Sequence, residues 1–253
     1  MWNHLIKKSL KVRRWSFYGS SNVKRLTFNV LILFILLFFQ NTSMAQSKAQ
    51  LIYFGDPMCS WCYGFSPEMS EALDSLAEDV DFQIVTGGLR PYNTETMADL
   101  GDFLQQHWED VNKRSGQPFS YEILKDKTFV YDTEPACRAV VLMRVLKPES
   151  EFEFFKEVQT QFYQKNKNTN LTETYAELAT AFGLNKTEFA KKFESDEFKE
   201  KVKEDFTYAQ NIGVQSYPTL VLKNGDDLYL IAQGYVEAET IIEKCEKILL
   251  QKK

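Results

Sequence analysis

The sequence predicts an α/β protein in which a large all-helical insertion separates the two halves of a small sheet domain. Residues 46–90 show a strand, a helix and a strand with short connections, which indicates a βαβ unit with a parallel strand pair. Residues 211–253 show two strands joined by a tight turn and then a helix, a ββα pattern. Residues 91–210, between these halves, have helical periodicity and almost no strand pattern.

The βαβ unit is predicted from two short apolar runs that flank a helical segment. The strands are expected at residues 50–54 and 81–86, and the helix at about residues 59–77. Pro67 lies inside this helix and has no backbone N–H, so we expect it to kink the helix by removing one hydrogen bond.

Helical periodicity in the insertion is clearest in five segments: residues 96–108, 134–146, 150–163, 171–182 and 186–210. Aromatic side chains cluster in the third of them, at Phe152, Phe154, Phe155, Phe162 and Tyr163. We interpret them as a helical core in preference to a ligand-binding cluster. The charged run at residues 191–204 is interpreted as a solvated helix face with i,i+4 ion pairs.

The ββα unit follows Pro218. Apolar runs at residues 219–222 and 228–232 flank the dipeptide Asn224-Gly225, and an Asn-Gly pair between two apolar runs is a strong signal for a β-hairpin. A final helix is predicted over residues 237–250.

Residues 1–45 are predicted to be a signal peptide that is not part of the fold. Seven basic residues and no acidic residue precede an apolar run at residues 28–39, and small residues follow at Ser43 and Ala45. The apolar run of about 12 residues is shorter than the roughly 17–25 that span a bilayer. We therefore expect export to the periplasm or cell envelope, with membrane contact only during export. An uncleaved membrane anchor is the alternative.

The charge of the remaining 208 residues excludes several classes of function. Seven of the 30 basic residues lie in the predicted signal peptide, which leaves 23 against 35 acidic residues. Nucleic acid and anionic lipid would repel so acidic a chain. His107 is the only histidine after residue 45, so histidine-based catalysis is not expected, and we predict no cofactor.

Cys59 and Cys62 form the strongest candidate site. They lie in the stretch Asp56-Pro57-Met58-Cys59-Ser60-Trp61-Cys62, between the first predicted strand and the first helix. Two cysteines at this spacing can exchange disulfides, ligate a metal or form a structural staple. The unpaired N–H groups and the positive dipole end at a helix N-terminus stabilise a thiolate, which favours redox chemistry.

Together these motifs resemble the thioredoxin fold with the helical insertion of DsbA-type thiol-disulfide oxidoreductases. The resemblance rests on the cysteine pair opening the βαβ helix, on Pro67 within that helix, and on Pro218 before the hairpin. Residues 56–65 and 133–139 are most similar to the FrnE-like group. The resemblance covers essentially all of the chain after residue 45 and implies a thioredoxin-like α/β fold.

The resemblance also implies roles for individual residues. Cys59 would be the exposed nucleophilic thiolate and Cys62 the resolving thiol beneath it. Pro218 would be a cis-proline facing the pair, with a trans-proline at the strand start as the alternative. Tyr217, before it, would offer its backbone to an extended substrate segment.

Several positions depart from the pattern of the relatives. Tyr53 stands where many of them carry a buried carboxylate that relays the proton of the resolving thiol. Asp56 could replace that carboxylate, although we favour the interpretation that it opens the turn before the cysteines. Ser60 and Trp61 separate the cysteines and are predicted to shape the substrate face; alternatively, Trp61 only covers apolar surface. This dipeptide leaves the direction of electron flow open.

Cys137 and Cys245 are predicted to be unpaired thiols in two helices. The alternatives are a structural disulfide between them, which an oxidising compartment would allow, and a second redox role. Ligation of zinc or an iron–sulfur cluster by all four thiols is disfavoured, because such sites generally use two close cysteine pairs. We predict no resident metal.

The predicted function is that of an exported thiol-disulfide oxidoreductase acting on cysteine-containing exported proteins, together with an unidentified redox partner. A monomer is expected, because the βαβ unit begins within a few residues of the predicted cleavage site and leaves no space for a dimerisation domain. The alternative is a glutathione-dependent isomerase resembling 2-hydroxychromene-2-carboxylate isomerase. Such enzymes usually carry a serine or a single thiol at the position of Cys59 and need no resolving cysteine.

Overall fold

The computed structural model describes residues 48–251, so the predicted signal peptide lies outside the described residues. Its strands are β1 Ala49–Gly55, β2 Val80–Thr86, β3 Thr219–Asn224 and β4 Asp227–Gln233. Its α-helices are α1 Ser60–Leu76, α2 Met97–Ser115, α3 Glu134–Leu146, α4 Glu151–Tyr163, α5 Thr172–Ala181, α6 Lys186–Phe193, α7 Asp196–Asn211 and α8 Ala238–Leu250. Within residues 48–251 no helix is long and apolar enough to cross a membrane.

The four strands form one mixed sheet in the order β2-β1-β3-β4. β1 pairs in parallel with β2 and antiparallel with β3, and helices α2 to α7 lie between β2 and β3 in the chain. The predicted α/β fold with a helical insertion is therefore confirmed.

The hairpin of β3 and β4 closes through a two-residue turn. Asn224 pairs with Asp227, and Gly225 in the turn has a φ of 65°, a conformation that glycine adopts without steric cost. Both strands extend further towards the turn than predicted, because the Asn-Gly signal marks the turn and not the last paired residue.

Helices cover both faces of β1. Leu51 and Tyr53 pack in the core cluster that includes α1, whereas Ile52 and Phe54 pack with Ala209 of α7. Successive side chains of a strand point to opposite faces, and β1 is apolar on both because neither face is solvated. Its carboxyl end therefore leads directly to the start of α1, where the cysteine pair lies.

Pro67 lies within α1, as predicted. A side chain outside the helix supplies the hydrogen-bond donor that the proline lacks. The carbonyl of Tyr63, which would accept the N–H of residue 67, accepts Nε2 of Gln117 at 3.4 Å instead. The helix that carries the cysteines is thereby tied to the insertion.

The helix predicted over residues 186–210 is in fact two helices. Ser195 has an extended backbone, with φ −71° and ψ 149°, and forms the N-cap of α7. Its hydroxyl donates to the carbonyl of Lys192 at 2.6 Å, which satisfies one of the free carbonyls at the end of α6. The charge pattern continues through this break, which is why periodicity alone did not reveal it. Ion pairs three and four residues apart still decorate the exposed face of α7.

The aromatic residues of α4 form core, as interpreted from the sequence. Phe154, Phe155, Phe162 and Tyr163 are fully buried, and Phe152 is partly buried against the same cluster. Tyr163 also reaches the turn in front of the cysteines.

Candidate active site

The cysteine pair lies where β1 gives way to α1. Cys59 is the N-cap residue of α1, with φ −84° and ψ 118°, and Cys62 lies in the first turn. Both are free thiols. Cys59 keeps 5% of its surface exposed and Cys62 none. Cys59 is thus the outer thiol, but the prediction that it is exposed was wrong, because the chain around Tyr217 lies over its sulfur.

Cys59 lies close to the Tyr217–Pro218 segment, although that segment is far from Cys59 in the chain. Its Sγ donates to the Tyr217 carbonyl at 3.7 Å across a separation of 158 residues. The Tyr217–Pro218 peptide bond is cis, so the alternative of a trans-proline was wrong. The βαβ and ββα halves therefore meet at the cysteine pair. The catalytic role of Pro218 stays a prediction.

The side chain of Tyr217 packs directly against the end of β2. Its hydroxyl donates to the carbonyl of Gly87 at 2.7 Å, and a Cβ added at Gly87 would lie 2.0 Å from Cε1 of the ring. Only glycine therefore allows the ring to pack here, and the ring position in turn holds the backbone that faces Cys59.

Asp56 is both a turn residue and a buried carboxyl group. Its Oδ1 accepts the Met58 N–H at 2.8 Å, and its carbonyl accepts the Cys59 N–H at 3.0 Å, so it opens the turn as favoured from the sequence. Its Oδ2 accepts from the Leu89 N–H at 2.6 Å and from the Cys137 thiol at 3.4 Å. Burial raises the pKa of this carboxyl, and the N–H donors of Leu89 and Met58 act against that shift.

Cys137 and Cys245 are separate buried thiols, as predicted, and the structure has no disulfide between them. Cys137 lies in α3 and is engaged with Asp56. Burial raises the pKa of the Cys137 thiol well above its ordinary value and that of Cys245 to about 12. Neither thiol is suited to nucleophilic chemistry near neutral pH.

Two tyrosines of the insertion hold the residue before Cys59. The hydroxyls of Tyr131 and Tyr163 both donate to the carbonyl of Met58, at 2.6 Å in the case of Tyr163. Tyr163 also stacks on Tyr63 of α1, with ring centroids 4.8 Å apart. Sequence reasoning had placed Tyr163 only in the core, since no local pattern shows where a buried hydroxyl points.

Tyr53 lies behind the cysteine pair, at the position where relatives were expected to carry a carboxylate. Its fully buried ring packs against Phe65 and Phe155, with centroid distances of 6.1 and 5.7 Å, and its hydroxyl faces Cys62. Burial, followed by the neighbouring Cys59, raises the pKa of the Cys62 thiol well above its ordinary value, whereas the Tyr53 hydroxyl lowers it.

The two residues between the cysteines, Ser60 and Trp61, are only partly accessible to solvent. Ser60 is 8% exposed, whereas Trp61 is half-buried and packs against the core. Leu89, whose N–H bonds to Asp56, is exposed on the loop that follows β2. That Trp61 and Ser60 contact substrate stays a prediction.

Comparison with known proteins identifies the class of this fold and site. The thioredoxin family profile matches residues 53–242. A crystal structure from Nitrosomonas europaea, provisionally assigned as a protein disulfide isomerase, is 33% identical, with a TM-score of 0.77; the match covers 82% of this chain and 100% of that one. No curated protein sequence is significantly similar.

More distant structures share the fold alone. The cytosolic disulfide reductase DsbM of Pseudomonas aeruginosa is 21% identical, with a TM-score of 0.67 and coverage of 80% of this chain and 99% of that one. DsbA of Xylella fastidiosa is 14% identical, with a TM-score of 0.54 and coverage of 83% and 89%. Together with the family profile and the 33% identical structure, this fold defines the class of enzyme, the DsbA-type thiol-disulfide oxidoreductases. The chain belongs to the thioredoxin family.

Proposed function

We propose that the chain is an exported thiol-disulfide oxidoreductase that exchanges disulfides with cysteine-containing proteins through Cys59 and Cys62. The observation that supports this most is the 3.7 Å contact between Cys59 Sγ and the Tyr217 carbonyl, beside the cis bond to Pro218. In this arrangement the outer thiol lies against the backbone bend that leads into β3, and the second thiol is fully buried.

The exchange needs only the two thiols and a substrate disulfide. The Cys59 thiolate attacks one substrate sulfur, which forms a mixed disulfide and releases the other substrate sulfur as a thiolate that takes up a proton. Cys62 then loses its proton and attacks the Cys59 sulfur. This step frees the second substrate thiol and leaves a Cys59–Cys62 disulfide. The reverse sequence transfers that disulfide to a reduced substrate.

The contact with Tyr217 links substrate binding to the state of Cys59. As a thiol, Cys59 donates a hydrogen bond to the Tyr217 carbonyl. As a thiolate or a mixed disulfide it has no proton to donate, so the carbonyl becomes free to accept a backbone N–H of an extended substrate segment. The half-buried Trp61 and the exposed Leu89 supply apolar surface at the same edge.

Site-directed variants test the proposed exchange. Cys59→Ser is expected to abolish insulin reduction, whereas Cys62→Ser is expected to accumulate a mixed disulfide with insulin, because nothing then resolves it. Cys245→Ser is the matched control and is expected to keep full activity. Insulin reduction by Cys59→Ser would contradict the proposal. Turnover of a small aromatic substrate with glutathione, without any protein disulfide exchange, would favour the isomerase alternative.

Export is supported by the basic, apolar and small-residue pattern of residues 1–45. We also propose a monomer and a separate redox partner that resets the cysteine pair. N-terminal sequencing of the protein from fractionated cells is expected to give a start near residue 46 in the envelope fraction. An intact N-terminus in the cytosol would contradict export.

A further inference from the structure

The hydroxyl of Tyr53 is a buried polar group without a hydrogen bond of ordinary geometry to any described residue. The residue is 1% exposed, and its ring is enclosed by Phe65 and Phe155. Leaving such a group unpaired costs free energy, and phenylalanine would fill the same space without that cost. A hydroxyl retained here therefore calls for an explanation.

The backbone directs the Tyr53 side chain towards the helix that carries the resolving thiol. Tyr53 projects from β1 towards α1, since its ring packs on Phe65, three residues after Cys62 in that helix. A Cβ added at Gly55, two residues on along the same strand face, would lie 3.2 Å from the hydroxyl oxygen. The glycine thus leaves space for the phenol at the carboxyl end of the strand, which leads into the helix that carries Cys62 in its first turn.

The ionisable groups whose charge would act on the Tyr53 phenol are Cys62, Cys59 and Asp56, and each raises its pKa. Asp56 is the one carboxyl group among them, and hydrogen bonds to the Met58 and Leu89 N–H groups and to the Cys137 thiol already occupy its oxygens. It is therefore poorly placed to serve Cys62. The groups that lower the pKa of the Cys62 thiol are the Tyr53 hydroxyl and the backbone N–H of Asp56, so Tyr53 supplies the side chain that can assist it.

The resolving step poses an electrostatic problem for a buried thiol. Cys62 has to become a thiolate before it can attack Cys59, and it is fully buried. An ionised sulfur in such surroundings is stabilised chiefly by hydrogen-bond donors directed at it.

We propose that Tyr53 is a positioning residue for the resolving step, in which its hydroxyl donates a hydrogen bond to the Cys62 thiolate as that sulfur attacks the Cys59–substrate disulfide. The proton lost by Cys62 ends on the departing substrate thiol, so atoms and electrons balance without a further reactant. Tyr53 keeps its own proton throughout, because burial raises the pKa of the phenol well above its ordinary value. The inference rests on the proposed function and assigns the work of the expected carboxylate to a neutral donor.

The two half-reactions can be separated with dithiobis(nitrobenzoate) as the disulfide substrate. Attack by Cys59 releases a first nitrothiobenzoate and resolution by Cys62 a second, and stopped-flow absorbance follows both phases. Tyr53→Phe removes only the hydroxyl. Tyr208→Phe is the matched control, because Tyr208 is 41% exposed and packs on Phe54, on the other face of β1.

In Tyr53→Phe the first phase is expected to keep its rate. The second is expected to slow about tenfold at neutral pH, with its pH midpoint raised by about one unit, since a hydrogen bond to a charged group is worth about that factor. Tyr208→Phe is expected to leave both phases unchanged. Thermal unfolding of Tyr53→Phe at or above the wild-type temperature would support a role in chemistry and not in folding.

Two results would overturn the inference: a second phase with unchanged rate and pH midpoint, or an equal slowing of both phases, which indicates disturbed packing. A first phase that survives Cys59→Ser would instead count against the proposed function itself. The failures of the two proposals are therefore distinguishable.

Discussion

The hydroxyl of Tyr163 lies 2.6 Å from the carbonyl oxygen of Met58, across a separation of 105 residues. Met58 immediately precedes Cys59, and its carbonyl also accepts from Tyr131. The helical insertion therefore holds the backbone that presents the outer thiol. We infer that the insertion positions the site as well as enlarging the fold.

Removing these hydroxyls tests that bracing. Tyr163→Phe and Tyr131→Phe are each expected to lower the free energy of unfolding by roughly 1 kcal/mol, because either tyrosine alone still satisfies the Met58 carbonyl. The double variant is expected to lose more than the sum, since the buried carbonyl then loses both donors. Urea unfolding of the wild type, the two single variants and the double variant measures these differences as a double-mutant cycle. Strict additivity would show that the two bonds act independently and would contradict shared bracing.

The packing of Tyr217 on Gly87 predicts an effect on activity. Gly87→Ala would place a Cβ 2.0 Å from Cε1 of Tyr217, so the ring and the backbone facing Cys59 have to move. We expect insulin reduction to fall about tenfold or more, because a small displacement at a reacting centre is costly. The control is Gly101→Ala in α2, where the nearest group is the flexible end of Lys127 at 3.2 Å. Full activity in Gly87→Ala would show that this contact does not position the site.

The four thiols are expected to react very differently with an alkylating agent. At about pH 8, iodoacetamide should modify the reduced, folded protein much faster at Cys59 than at the other three thiols. Cys59 lies at the N-terminus of α1 and keeps 5% of its surface exposed, whereas Cys62, Cys137 and Cys245 are fully buried. Denaturation should expose all four thiols. Mass spectrometry of both samples gives the number of alkylated cysteines and their positions. Rapid modification of Cys137 or Cys245 in the folded protein would contradict their assignment as inert thiols.

Glu151 predicts a pH dependence of stability. It is 5% exposed, with Oε1 3.7 Å from Arg144 and with Asp205 also nearby, and burial raises the pKa of its carboxyl to about 8. Between about pH 4.5 and 8 the folded protein holds a proton that the unfolded chain has released. The contribution of Glu151 to the free energy of unfolding therefore falls as pH rises through this window, by up to about 1.4 kcal/mol per pH unit.

Glu151→Gln is expected to flatten this slope, as measured by urea unfolding at several pH values across that window. Glu153→Gln is the matched control, because Glu153 is an exposed partner of Lys156 and should leave the slope in place. If the wild type and Glu151→Gln depend on pH in the same way, Glu151 is ionised in the folded protein and the expectation fails.

The elements that were predictable from sequence are those with a local signal. The apolar run of β1, the Asn-Gly turn and the apolar spacing of α3 and α4 depend on neighbouring residues, so strands, hairpin and most helices were predicted closely. The pair of Cys59 and Cys62 was visible because its spacing and its place before a helix are local too.

What could not be predicted depends on contacts across the fold. The break at Ser195 interrupts a charge pattern that continues on both sides of it. The cover over Cys59 comes from residues more than 150 positions away. Asp56 was interpreted mainly as a turn residue, because the donors from Leu89 and Cys137 that surround its carboxyl belong to other elements.

The central claim is that Cys59 and Cys62 form one two-electron redox couple. The most direct test equilibrates the protein in buffers of defined thiol–disulfide potential, followed by acid quenching, alkylation and mass spectrometry of the peptide that carries both cysteines. The account predicts that both sulfurs are alkylated or neither, with one two-electron transition between roughly −270 and −120 mV, the range of this class of protein. Cys59 and Cys62 that remain thiols at every potential, or that change one at a time, would contradict it.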